Sequence, residues 1–253
     1  MTQFLRRHAV RIMIGAVLFV AVYSAVSVYA TYRREQTVAL RAGIERVGIA
    51  YCGPSWVPES IQQRLPFFDR IVSLYLSDAF ERSPELSAKI SDVISELGSL
   101  TNLSTLELSS ATTDANLENI KGLVSLVRIN LGSAQISDTG LSNLAALTDL
   151  EDISLYGCNH VTDRGLEHLK GLTKLDHLDV SYTQVTDVGL EQLTGLKKLQ
   201  HLDLVGTQVT DAGLMHLNGL TSLEWLDLDS TRTTADGRAM LQKALPNCTI
   251  TPP

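Results

Sequence analysis

Cysteine is scarce in this sequence: three residues in 253, an odd number, with no metal-ligand spacing between them. That count fits neither a disulfide framework nor a zinc site. Also missing are a nucleophile-base signature, a glycine-rich phosphate loop, an HExxH pair and a CxxC pair. Nothing therefore assigns a catalytic residue, a cofactor or a metal, and the chain reads as a non-enzyme. Basic charge is in deficit, since 21 Lys and Arg against 28 Asp and Glu give a net charge of -7. Nucleic acid is excluded as a partner, because neutralising phosphates takes clustered Lys and Arg. Disorder is excluded by the opposite measure: 44% of the residues are hydrophobic and 19% charged, ample for a packed core.

Long apolar runs are also rare, and the one present is informative. Ile12 to Thr31 holds twenty residues without a charge. As a helix rising about 1.5 Å per residue it would span the roughly 30 Å hydrocarbon core of a bilayer. Arg6, Arg7 and Arg11 precede it and Arg33, Arg34 and Arg41 follow, so the flanking charges are nearly balanced. Its position near the start is that of a signal anchor with the N-terminus inside. Val28-Tyr29-Ala30 satisfies the small-residue rule for signal-peptidase cleavage, but the run is longer than the apolar core of about 7 to 15 residues in a cleaved signal. The expectation is a single-pass membrane protein attached through residues 12–31, with the rest of the chain on the extracytoplasmic side.

Most of the remainder is repetitive. Val-Thr-Asp triplets begin at Val161, Val185 and Val209, a step of 24 residues twice over, and related units begin at Lys89, Thr112 and Ile136. Within the unit from Val161, Leu166, Leu169, Leu172 and Leu175 are three apart, as on one face of a helix or tight coil. Leu178 and Val180 are two apart, as in a short strand. A helix-strand unit of this size cannot bury its apolar face alone, so neighbours must stack into a solenoid with parallel strands. Small residues at Cys158, Thr183, Thr207 and Thr231 mark where the chain turns inward, which makes Cys158 a small buried hydrophobe. Asp114, Asp138, Asp163, Asp187 and Asp211 recur just ahead of each helix, where a carboxylate caps free N–H groups and meets the positive end of the dipole.

Both ends of the array carry capping patterns. Helical spacing over Glu35 to Arg46, a strand over Val47 to Tyr51, a helix starting near Pro58 and a strand over Ile71 to Leu76 predict an α/β cap. A helix over Thr234 to Leu245 and a closing strand over Pro246 to Ile250 are expected at the far end. Such caps keep leucines and strand edges from solvent. Cys52 and Cys248 then sit several strands of about 4.8 Å apart, beyond the roughly 7 Å that a disulfide spans.

Leu155-Tyr156-Gly157-Cys158-Asn159-His160-Val161-Thr162-Asp163-Arg164-Gly165-Leu166 resembles the second half of the leucine-rich repeat of the cysteine-containing subclass, L-x-x-L-x-L-x-x-C-x-x-I-T-D-x-G-L. The other units replace Cys by Thr or Ala and drop one residue, a variant similar to repeats of bacterial membrane-anchored proteins. The subclass also occurs in F-box substrate receptors. No F-box-like segment is recognisable here, so a ubiquitin-ligase role is not carried over. The resemblance implies an α/β leucine-rich-repeat solenoid, strands on a concave face and helices on a convex one. The domains expected are residues 1–34 as tail and membrane anchor, 35–88 as N-terminal cap, 89–232 as six repeats and 233–253 as C-terminal cap.

Strand alternation sends Leu178 and Val180 inward and His177, Asp179 and Ser181 outward. Stacking then gives three outward columns. The first holds Thr105, Arg128, Asp152, His177, His201 and Trp225; the second holds Glu107, Asn130, Ser154, Asp179, Asp203 and Asp227; the third holds Ser109, Gly132, Tyr156, Ser181, Val205 and Asp229. The C-terminal half is acidic and aromatic. Tyr156, His177, Asp179, Tyr182, His201, Asp203, Trp225, Asp227 and Asp229 are the candidate protein-binding residues, since exposed aromatics among polar neighbours anchor protein recognition. Metal binding by His177, His201, Asp179 and Asp203 is set aside, because a flat ladder supplies tetrahedral angles poorly. Outward carboxylates such as Asp203 are expected to be solvated and replaceable by Ala within about 0.5 kcal/mol. The expected function is a membrane-anchored interaction module of the cell envelope with a basic protein partner. A structural spacer and a non-catalytic subunit of an enzyme complex are the alternatives, and Lys170, Lys174, Lys197 and Lys198 form a second, basic surface on the helix side.

Overall fold

The computed structural model describes residues 47–52, 70–76, 103–108 and 110–252, the first two segments as backbone strands only. Apart from residues 51, 52 and 70 at two strand ends, the described residues belong to one compact unit, residues 46–50 with 71–253. Among the described residues no helix is long and apolar enough to cross a membrane. The apolar segment Ile12 to Thr31, the helices expected near residues 35–46 and 58, and the start of the first repeat all lie outside the described residues.

Among the described residues nine strands form one sheet in chain order: β1 (Val47–Cys52), β2 (Arg70–Leu76), β3 (Thr105–Glu107), β4 (Arg128–Asn130), β5 (Asp152–Ser154), β6 (His177–Asp179), β7 (His201–Asp203), β8 (Trp225–Asp227) and β9 (Thr249–Thr251). From β2 to β9 every neighbouring pair is parallel. Short helices return the chain between strands: α1 (Asp114–Glu118), α2 (Asp138–Leu141), α3 (Asp163–Glu167), α4 (Asp187–Gln192), α5 (Asp211–Leu214) and α6 (Ala235–Ala244). Single 3-10 turns extend α2, α4 and α5. The period dictates this: a 24-residue unit leaves room for a three-residue strand, a turn and little more than one turn of helix.

The leucines fill the layer between strands and helices. Leu166, Leu169, Leu172, Leu175, Leu178 and Val180 are all fully buried, as are their counterparts in the repeats on either side. Removing about six such side chains per repeat from water is the main driving force, at roughly 1.5 to 3 kcal/mol each when fully buried. The turns after β5, β6 and β7 tuck a small polar or sulfur-bearing side chain into this core, where the turn after β4 has Ala134. Thr183 and Thr207 donate hydrogen bonds to the carbonyls of Val180 and Leu204 at 2.6 and 2.7 Å, and Cys158 donates across to Leu131 of the preceding repeat at 3.1 Å. Burial pushes the Cys158 thiol up to about 12 and the Cys248 thiol up to about 11, so both stay protonated.

The recurring aspartates do a different job from the capping expected of them. Helices α2 to α5 start at Asp138, Asp163, Asp187 and Asp211, and their caps are the preceding Ser137, Thr162, Thr186 and Thr210, whose hydroxyls accept from the backbone two residues on. Each Asp instead reaches the cap residue of the next repeat. Asp163 accepts from the Thr186 N–H and hydroxyl, both at 2.7 Å, and Asp187 accepts from Thr210 at 2.7 and 2.6 Å. The same pair of bonds joins Asp114 to Ser137, Asp138 to Thr162 and Asp211 to Thr234. A carboxylate accepting two bonds per repeat makes a continuous strap along the helix side. It also explains the glycine two residues after each Asp from Asp138 to Asp211: a Cβ on Gly140, Gly165, Gly189 or Gly213 would collide with the carboxylate of Asp114, Asp138, Asp163 or Asp187.

At the C-terminal end, the Thr234 hydroxyl caps α6 by accepting from the Gly237 N–H at 3.1 Å. The closing strand starts later than the sequence suggests. Pro246 has no N–H to give the sheet, and Cys248 donates its N–H to Leu245 in a turn, so pairing to β8 begins at Thr249.

Candidate protein-binding face

The outward columns of the strand face fall into register as the repeat period requires. Thr105, Arg128, Asp152, His177, His201, Trp225 and Thr249 align across successive strands, and Glu107, Asn130, Ser154, Asp179, Asp203, Asp227 and Thr251 form the next column. Parallel pairing without slip puts equivalent residues one strand step, about 4.8 Å, apart. His177, Asp179, His201, Asp203, Trp225 and Asp227 are half-buried, and Tyr156, Tyr182 and Asp229 are exposed. All nine candidate residues therefore reach one accessible face.

The aromatic residues on it are organised. The His177 and His201 rings stack with centroids 5.6 Å apart and planes 23° from parallel. Trp225 continues the row 6.5 Å beyond His201. Tyr156 and Tyr182 form a separate edge-to-face pair at 5.3 Å and 74°, with 48% and 47% of their surfaces exposed. Tyr182 holds φ at +56°, at a position where the neighbouring repeats have Gly157 at +69° and Gly206 at +68°. A bulky side chain in that left-handed region costs about 1 to 2 kcal/mol. Gly206 makes room for it, since a Cβ there would stand 2.7 Å from a Tyr182 ring carbon.

The carboxylates are less free than alternation implies. Asp179, Asp203 and Asp227 each turn Oδ1 back to accept from the backbone two residues on, at 2.9, 3.2 and 2.9 Å. These are Asx turns that end the strands. Asp203 also accepts from the Ser181 hydroxyl. Ser181, expected to point outward, is 2% exposed. The strand has ended at Asp179 and the chain is already bending toward left-handed Tyr182, so alternation no longer applies. Burial holds the Asp203 carboxyl above its usual range against the hydrogen bonds from Ser181 and Val205, and the charges of Asp179 and Asp227 push the same way. One oxygen on each of Asp203 and Asp227 takes no hydrogen bond from the described residues, whereas the second oxygen of Asp179 accepts from Ser154 at 3.2 Å. In the first column, Asp152 faces Arg128 at 3.7 Å, and the run of carboxylates on adjacent strands of the second column begins at β6.

The helix-side lysines are partly engaged. Lys174 bonds Asp149 at 2.7 Å, which raises its pKa, and Lys197 donates to the Gly219 carbonyl at 3.1 Å. Among the described residues no group of three His, Cys, Asp or Glu is arranged to hold a metal ion.

Profiles described as leucine rich repeat match residues 154–209 and residues 123–145. The chain is a leucine-rich repeat protein. Its fold is that of leucine-rich repeat structures already solved. It is 26% identical to internalin C2 of Listeria monocytogenes, with a TM-score of 0.54 over 72% of this chain and 81% of that one. A second internalin of the same organism is 16% identical, with a TM-score of 0.39 over 76% and 92% of the two chains. A leucine-rich repeat protein of Leptospira interrogans is 23% identical, with a TM-score of 0.44 over 62% and 44%. The repeat profile covering 154–209 runs from the last residue of β5 through β6 and β7.

Proposed function

We propose that this leucine-rich repeat protein is a non-catalytic protein-protein interaction module whose strand face over β5–β8 receives a partner presenting basic groups. The observation that carries the reading is Trp225, a large aromatic side chain half-open to solvent at the end of the His177–His201 row and two residues from Asp227 on the same strand. Tryptophan beside unsatisfied acceptors supplies desolvated contact area together with directed charge, the combination found at interface hot spots. Tyr182 supports recognition over a spacer role. The left-handed turn itself recurs at Ser133 and Ser230, but at Tyr182 it holds an aromatic ring 47% exposed beside the acidic column, contact area that a spacer does not need.

In the same proposal, Ile12 to Thr31 anchors the chain in a membrane and the repeats face the extracytoplasmic side of the cell envelope. A photoreactive amino acid in place of Trp225 tests the binding role in cells, with Lys198 on the helix side as the comparison. The expected result is a protein adduct at position 225 that falls when Asp203→Asn and Asp227→Asn are combined. Adducts at 198 alone, or adducts at 225 indifferent to both substitutions, would refute it.

A further inference from the structure

We infer that the segment docking on this face is an extended polyproline-II stretch with Lys or Arg at every third residue, lying across β6, β7 and β8. The inference rests on the proposed binding role and narrows its partner by geometry.

The acidic column repeats once per strand, so its carboxylates offer sites about 4.8 Å and about 9.6 Å apart. A ligand running along the column must place basic side chains on its near face at one of those intervals. A β-extended peptide repeats its near face every second residue, at roughly 6.7 Å, which matches neither. A polyproline-II helix repeats every third residue, at about 9.3 Å, which matches two strand steps. Asp179 and Asp227 are the pair at that distance on the ladder, with Asp203 between them.

A helical ligand could also meet steps of about 4.5 to 6 Å, but it needs an apolar groove for its other anchors. The outward positions from β5 to β8 offer Asp, Ser, His, Tyr and Trp, with half-buried Val205 the single aliphatic side chain among them. What flanks the carboxylates instead is aromatic: the His177–His201–Trp225 row on one side and the Tyr156–Tyr182 pair on the other. Proline rings pack on aromatic walls of this kind, and the preformed helix loses little entropy on docking. Charge complementarity favours the same ligand, since the only cation paired with a carboxylate on the described strand face, Arg128, lies two strands before β6.

Three fluorescein-labelled peptides of equal charge decide it, read by anisotropy against the full-length chain. One carries three Lys-Pro-Pro units, one has the same residues with the lysines adjacent, and one is an Ala-rich helix with lysines three and four apart. The expected result is at least tenfold tighter binding of the Lys-Pro-Pro peptide than of either other. That preference should vanish when Asp179→Asn and Asp227→Asn are combined. Equal affinity for all three, tighter binding of the helix, or no binding of the Lys-Pro-Pro peptide would overturn the inference. The wider binding role fails separately, if crosslinking at position 225 recovers no Asp-dependent adduct.

Discussion

Replacing Asp203 separates its role in the fold from its role on the surface. In Asp203→Ala the Ser181 hydroxyl, 2% exposed, loses its acceptor, and the Val205 N–H loses a bond of 3.2 Å. Stranding a buried hydroxyl costs about 1 to 3 kcal/mol and a turn hydrogen bond about 0.5 to 1.5 kcal/mol. Against this stands the relief of a partly desolvated charge between Asp179 and Asp227, which lowers the net loss to about 1 to 3 kcal/mol. Asp203→Asn keeps an oxygen for both donors and gives up the charge, so it should be close to neutral. The pH dependence has a definite sign. A carboxyl whose folded pKa lies above its unfolded value binds protons more tightly when folded, so its contribution to stability falls as pH rises from the unfolded pKa through the folded one. Wild type should show that loss and Asp203→Asn should not. Urea denaturation of the full-length chain and of Asp203→Ala, Asp203→Asn, Ser181→Ala and the Ser181→Ala/Asp203→Ala double variant measures all of this. The double variant should fall short of the sum of the singles by about 1 kcal/mol, because the two side chains share one bond. Additive losses, or an Asp203→Ala change within about 0.5 kcal/mol, would refute the reasoning.

Further outcomes follow from the core and the strap. Leu178→Ala empties a fully buried site between repeats and should cost about 2 to 5 kcal/mol in the same denaturation experiment. Gly189→Ala drives a Cβ into the Asp163 carboxylate and should cost about 1 to 3 kcal/mol, whereas Gly171→Ala, with nothing within 4 Å of the new Cβ, should stay within about 0.5 kcal/mol. The hydrogen bonds from Thr234 hold the Asp211 carboxyl below its usual range, so that contribution is present above the unfolded pKa and lost as pH falls through the folded one. Protection of the α6 amides, taken relative to intrinsic exchange at each pH, should fall over that acid interval, and Asp211→Asn should abolish that fall. Intact mass of the membrane-fraction protein tests the anchor: the full chain is expected, and a mature form starting at Thr31 would show Ile12 to Ala30 to be a cleaved signal.

The repeat period makes the stacking legible in the sequence. Once Leu178, Leu202 and Leu226 are seen at a constant offset, the register of His177 on His201 and of Asp179 on Asp203 follows, because a slip by one residue would turn the leucines to solvent. The Asp strap was hidden because its partners lie 23 or 24 residues away, and a local helix-cap rule explains the same residue without them. The glycine two residues after Asp138, Asp163, Asp187 and Asp211 is the available signal, since a helix has no use for it unless something presses on that face. Ser181 departs from the outward position that alternation implies because the strand ahead of it is only three residues long. The Asx turns at Asp179, Asp203 and Asp227 escaped notice for a related reason: the same carboxylates also suit a solvated, partner-facing column.

The central claim is that the β5–β8 strand face binds a basic partner, and the affinity of the crosslinked partner tests it most directly. The measurement compares wild type, Trp225→Ala and the combined Asp203→Asn/Asp227→Asn variant at low and raised salt. The account predicts affinity reduced at least tenfold in both variants, and a salt dependence that is strong in wild type and weaker in the Asn pair. Unchanged affinity in both variants would contradict it and move the interface to the helix side, where Lys170 and Lys198 are exposed.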